Sequence, residues 1–239
     1  MLFLVMIVWT FVATTRKHPA RRAAVVSAVL LVVEALLGAA LVLRHDVENN
    51  VSAERVVMQS IHFTTTMLLL AAVTLTVFFL RESGVMAADD SRTRRAARAT
   101  IGLILLAGVT GALAALADTL FPYGTLRAAL HADFAADAPL LIRMRWLHPA
   151  ASTLVTAATV AWCWALVRCG RVRAAQMLGW ALVAQIVVGV ADVLLLAPTA
   201  AQLLHLLSAD VFWIAVVIVA APTIFARANA ALNTAALTS

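Results

Sequence analysis

The chain has 239 residues, of which 64% are hydrophobic and only 13% charged, with a formal net charge of +6. Its mean hydropathy of +0.97 excludes a water-soluble globular chain, in which about a quarter of residues carry charge, and leaves no room for a separate soluble domain. The positive charge does not point to nucleic acid, because the basic residues fall in short clusters between apolar runs, where they set membrane topology.

Seven apolar segments predict an all-α, polytopic membrane protein with about seven transmembrane segments. In chain order they cover 1–15, 23–43, 54–80, 97–117, 143–167, 174–195 and 200–225. The first is too short to span comfortably, and Met1 opens into it without the basic stretch of a signal peptide. Arg16, Lys17, Arg21 and Arg22 follow the first segment. Arg81, Arg92, Arg94, Arg95 and Arg98 follow the third, Arg168, Arg171 and Arg173 the fifth, and Arg227 the seventh. The opposite side holds Arg44, Arg55, Arg127, Arg143 and Arg145. Positive-inside places the N-terminus outside and the C-terminus in the cytoplasm. In the long outer loop, Leu126, Leu130 and Phe134 recur at four-residue spacing and predict an interfacial helix over 125–136. Cys163 and Cys169 are six apart at a basic helix end and read as neither a disulfide nor a metal site.

The second, fourth and sixth segments run outward and carry Gly38, Gly111 and Gly189 near their ends; the third, fifth and seventh run back, with His62, His148 and His205 near their starts. The chain thus reads as three glycine–histidine hairpins, a parallel repeat of a kind common in membrane proteins. The stretch 9–24 resembles 162–175, each running from a Trp-bearing helix end into basic residues and an Ala pair. By that register, the first segment is half a hairpin whose opening helix and histidine would lie before Met1.

Intramembrane imidazoles are rare unless used, and two facing each other across a helical bundle can grip a heme iron from both sides. His148 and His205 are the main candidate pair; the bland reading is an interfacial histidine bonded to water or a carbonyl. Pro149 places His148 at a helix start or kink. Arg145, three residues earlier, reads either as a partner for a heme propionate or as a snorkelling arginine. His62 is a candidate ligand for a second heme, with Gln59 and Thr65 three residues to either side. Glu34, one turn before Gly38, reads as a proton relay, a partner supporting His62, or a protonated acid bonded to a neighbouring helix. Asp118, Asp192 and Asp210 read as structural, although Asp192 lies in apolar sequence and needs a partner. His18, His45 and His131 fall in loops or at boundaries and read as solvated.

At these residues the chain resembles the heme A synthase family, whose members assist cytochrome oxidase assembly. The resemblance rests on Val33-Glu34-Ala35-Leu36-Leu37-Gly38-Ala39, Ala117-Asp118-Thr119-Leu120-Phe121-Pro122, Arg145-Trp146-Leu147-His148-Pro149, Leu194-Leu195-Leu196-Ala197-Pro198 and the run Gln202 to Asp210. It implies two four-helix halves, each able to hold a heme between two histidines. His148 and His205 would then bind heme b in the C-terminal half. His62 would supply one ligand at the N-terminal site, where heme O is oxidised at a ring methyl to the formyl of heme A. It further implies an integral protein of a bacterial plasma membrane, working with a heme O synthase and oxidase assembly partners, as a possible homo-oligomer. The family's first helix, the histidine and glutamate of its second, and the outer-loop cysteine pairs of some members have no counterpart here, and Glu34 stands where the family often has glutamine. Residues 1–95 thus read as an incomplete N-terminal half, 96–227 as an intact four-helix heme-binding half, and 228–239 as a cytoplasmic tail. The chain is then either an N-terminally truncated form of the full enzyme or a divergent member that binds heme without that chemistry. The alternatives are a non-catalytic membrane b-type cytochrome or heme-binding assembly factor, and a heme-free transporter using Glu34 and Asp192 as relays.

Overall fold

The computed structural model describes residues 2–44, 52–82 and 90–237, with side chains as far as Phe225. His45 and the side chains of the expected tail, 228–239, lie outside the described residues. The described elements are all helical: α1 (Leu2–Ala13), α2 (Pro19–Leu43), α3 (Ala53–Arg81), α4 (Ser91–Leu120), α5 (Leu126–Phe134), α6 (Leu140–Arg143), α7 (Leu147–Arg168), α8 (Val172–Leu194) and α9 (Thr199–Leu237). Among the described residues, six stretches are long and apolar enough to cross a bilayer: Pro19–Leu43, Ala53–Arg81, Ser91–Leu120, Leu140–Arg168, Val172–Leu194 and Thr199–Phe225. The chain is an integral, polytopic membrane protein. Helix α1 has only 12 residues; at about 1.5 Å per residue it is far shorter than the roughly 30 Å hydrocarbon core.

Helix starts follow their caps. His18 accepts from the Ala20 amide with Pro19 in the first turn of α2; Ser52 caps α3, Asp90 caps α4 and Thr125 caps α5. The Asp90 cap starts α4 six residues before the expected apolar boundary, so Arg92, Arg94 and Arg95 ride on helix rather than loop. Hydrogen bonds from the Thr93 hydroxyl and amide hold the Asp90 carboxyl below the usual carboxylate range. The interfacial helix forms as α5, inside the expected 125–136. The fifth segment is not continuous: α6 ends at Arg143 and α7 restarts at Leu147, leaving a turn at 144–146. His148 and Pro149 therefore occupy the first turn of α7, where a proline forfeits no helical hydrogen bond.

Helices α4, α7, α8 and α9 form a four-helix ring in which α4 touches α7 and α9, and α8 touches the same two. Helices α7 and α9 therefore stand diagonally across it. The core of the ring gathers Ile104, Val155, Trp162, Leu178, Phe212 and Val216. Helix α3 leans on α4 and α9, pinned where the buried Trp213 indole donates to Met67 O at 2.8 Å; α2 packs on α3 and α1 on α2. The α8–α9 turn is tight, with Leu196 at φ 65° and Ala197 at φ 50°, a left-handed geometry that costs a non-glycine residue about 1 kcal/mol or more. Ala197 N donating to Asp192 O at 2.9 Å and Gln202 Nε2 donating to Ala197 O at 2.6 Å hold it.

Candidate functional site

The fold turns each sequence hairpin into a contact. A Cβ added at Gly111 on α4 would lie 2.8 Å from His148 Cε1 on α7, and one at Gly189 on α8 would lie 2.7 Å from His205 Cε1 on α9. At Gly38 on α2 the added atom would stand 3.9 Å from His62 Cε1 on α3. Each glycine thus faces the histidine of its own hairpin, and in the two C-terminal hairpins the ring occupies the space a side chain would fill.

Because α7 and α9 are diagonal, His148 and His205 meet across the ring interior. Their ring centroids are 6.2 Å apart, with planes crossed at 76°. An imidazole nitrogen about 2 Å from a metal puts its ring centroid about 3 Å away, so two rings on opposite sides of one metal stand about 6 Å apart. The observed spacing suits a single ion held by both. Each Nδ1 is already engaged: that of His148 lies 3.0 Å from Ala107 O, and that of His205 lies 3.4 Å from Gln185 Nε2. Gln185 is itself fixed by the Ser208 hydroxyl, which bonds its Oε1. Turning the amide end for end keeps both contacts and lets Nδ1–H donate to oxygen. With Nδ1 tied, Nε2 is the nitrogen left for a ligand.

The same pattern recurs at His62. Glu34 Oε2 lies 2.9 Å from His62 Nδ1, and the Thr66 hydroxyl donates to that carboxylate oxygen at 2.9 Å while the Thr65 hydroxyl bonds Oε1. The ring–carboxylate approach has ion-pair distance but lacks hydrogen-bond alignment, and His62 Nδ1 has no other partner.

Arg145 organises the histidine-bearing end. Its Nε donates to Asp133 at 2.8 Å, its Nη1 to Asp118 at 2.6 Å and its Nη2 to Ala129 O at 2.8 Å, with Tyr123 beneath its plane. Its Nη2 also approaches Asp133 Oδ1 at 2.7 Å, so from the turn before α7 it clamps α5 onto α4 with four of its five N–H donors engaged. The Arg145 and Asp133 side chains are 10% and 11% exposed. Removing one member of such a buried network costs about 3 kcal/mol or more, so Arg145→Ala is expected to lower the melting temperature in detergent well below that of Arg145→Lys. Asp118 is a partner in this clamp, whereas Asp192 keeps a buried Oδ1 without one. His131 is exposed on α5, and His18 is the α2 cap.

Sequence reading passed over Gln185 and the Ala107 carbonyl. Both lie four residues before the hairpin glycine, as Glu34 does: Glu34–Gly38, Ala107–Gly111 and Gln185–Gly189. One helical turn puts that position on the glycine's face, so it reaches the ring that the glycine admits. The residue three after each histidine covaries within the chain. Thr65 supports Glu34 and Ser208 supports Gln185, while Ala151 stands where a backbone carbonyl needs no support.

A family model described as cytochrome oxidase assembly protein, COX15-CtaA, matches residues 1–217. Two curated relatives named protoheme IX farnesyltransferase, from two strains of Thermus thermophilus, are each 34% identical over 229 residues. Those matches cover 91% of this chain and 36% of each relative, so the chain spans about a third of their length. No solved structure matches significantly.

Proposed function

The chain belongs to the COX15-CtaA family of cytochrome oxidase assembly proteins, and from that premise we propose that it is a membrane oxidoreductase that holds heme b between His148 and His205 and oxidises a methyl group of heme O to the formyl of heme A. The observation that carries this reading is the diagonal histidine pair at 6.2 Å, each ring seated against a glycine and tied at Nδ1. Heme bound there supplies the redox chemistry; the protein supplies position and electrostatics. In this reading, residues from 96 onward form the heme b half. Ala107 O and Gln185 set the azimuth of each imidazole, and Gly111 and Gly189 let the rings reach the interior. Arg145 offers its remaining Nη1–H to a propionate while keeping α5 closed over the site. His62 presents Nε2 to the substrate heme in the N-terminal half. A farnesylation must supply that substrate, which agrees with the relatives' being protoheme IX farnesyltransferases by name. The basic ends of the helices face the cytoplasm of a bacterial cell, with the histidine end outside.

Co-expression with a heme O synthase, followed by extraction of the bound pigment, tests the reading. Heme A in the extract supports it. Heme b alone favours the second reading, a non-catalytic membrane cytochrome or assembly factor, which the same histidine pair would serve. Absence of a Soret band overturns both and leaves the heme-free transporter. A further expectation follows from the 76° crossing of the imidazole planes. If both rings held a ferric heme at that crossing, two iron d orbitals would be nearly degenerate and the protein would give a strongly anisotropic low-spin EPR signal. A rhombic signal of the parallel-plane type would show that the rings rotate when loaded.

A further inference from the structure

The three hairpins share one geometry but differ in what touches Nδ1. His148 meets a backbone carbonyl, His205 a neutral amide and His62 a carboxylate. The difference follows from the residue four before each glycine: alanine, glutamine and glutamate. Glu34 is not an incidental acid. Its side chain is 11% exposed, both its oxygens are gripped by hydroxyls from α3, and the buried His62 Nδ1 beside it makes no hydrogen bond. An apolar helix tolerates such a carboxylate only when it is satisfied, and the Thr65 and Thr66 hydroxyls satisfy it, with His62 Nδ1 beside it at ion-pair distance.

We propose that Glu34 is the positioning residue of the N-terminal histidine: it fixes the His62 ring through Nδ1, aims Nε2 at a heme iron, and makes His62 a stronger electron donor than His148 or His205. This rests on the reading that His62 ligates a heme. A carboxylate accepts an N–H hydrogen bond about twice as strongly as a neutral group does. An outer carboxylate also raises the basicity of a metal-bound histidine and fixes its orientation. On this proposal the ring turns, when it ligates, to bring the existing 2.9 Å approach into hydrogen-bond alignment. The Thr65 and Thr66 hydroxyls keep the carboxylate from turning away, as Ser208 does for Gln185. The repeat therefore equips one of its three rings with a stronger donor, and that ring lies in the half where the resemblance places the oxidation.

The test is a hemin titration of the purified chain in detergent, followed by a spectroelectrochemical redox titration, on the parent, H62A, E34A, E34Q and T65V. His62→Ala defines the signal of the N-terminal heme. Glu34→Ala is expected to weaken that heme by about 10–100-fold, the usual cost of losing an outer partner of a ligating histidine. Glu34→Gln, which can still accept from Nδ1–H, is expected to restore occupancy but to raise that heme's midpoint potential. Thr65→Val is expected to fall between parent and E34A. The Soret band of the His148–His205 heme serves as the folding control and should be unchanged throughout. Full occupancy and an unshifted potential in both Glu34 variants overturn the proposal while leaving His62 ligation intact. Unchanged heme stoichiometry in H62A overturns the ligation itself, and the role of Glu34 with it.

Discussion

Replacing either His148 or His205 with alanine is expected to strip low-spin heme from the purified protein, weakening its retention by more than about 100-fold. Losing even an outer partner of a ligating histidine costs about 10–100-fold, and alanine removes the donor atom itself. The two variants should behave alike because the rings meet across one interior, 6.2 Å apart, from diagonal helices. Parent and variants would be compared by Soret absorbance and by extracted heme per protein. His62→Ala is the internal contrast: it should lower stoichiometry without altering the spectrum of the remaining heme. Full pigment and an unaltered low-spin spectrum in H148A or H205A would falsify the bis-histidine reading.

The second large effect comes from adding one methyl group. Gly111→Ala and Gly189→Ala place a Cβ 2.8 and 2.7 Å from the Cε1 atoms of His148 and His205, well inside the 3.4 Å at which ordinary contact begins. The backbone gains from the change, since alanine favours a helix by about 1 kcal/mol over glycine. The cost falls on the ring, which must move off its axis, and a functional group displaced beyond about 0.5 Å loses its productive geometry. Both variants are therefore expected to express and fold at least as well as the parent. They should nevertheless lose heme affinity by roughly the same 10–100-fold as an outer-partner variant. Gly38→Ala, whose added atom would stand at an ordinary 3.9 Å from His62, should be tolerated. Equal heme content in all three variants would show that the glycines serve helix packing alone.

What the sequence made legible was periodic. Apolar run lengths identified the spanning helices because a bilayer admits few other solutions. The grouping of Gly38 with His62, Gly111 with His148 and Gly189 with His205 in three hairpins was readable, whereas the seating of each ring against its glycine came with the fold. The amphipathic spacing of Leu126, Leu130 and Phe134 gave α5. Less was readable where no side chain marks the event. The break at 144–146 separates α6 from α7, though only Pro149 hinted at it. The early start of α4 follows from the Asp90 cap, which a hydropathy count treats as loop. Ala107 acts through its carbonyl, so its residue type is silent. Gln185 was visible, an amide deep in an apolar helix one turn before Gly189, but its role appears only once α9 folds back to place His205 beside it.

Every element needed to hold one ring sits inside a single hairpin: the glycine, the residue one turn before it, the histidine, and the residue three after. Copies of such a unit can drift apart one substitution at a time, because changing the electronic character of one imidazole does not require remaking the interface between units. A duplicated ancestor could in this way keep one pigment as a passive electron carrier and let another acquire a reaction.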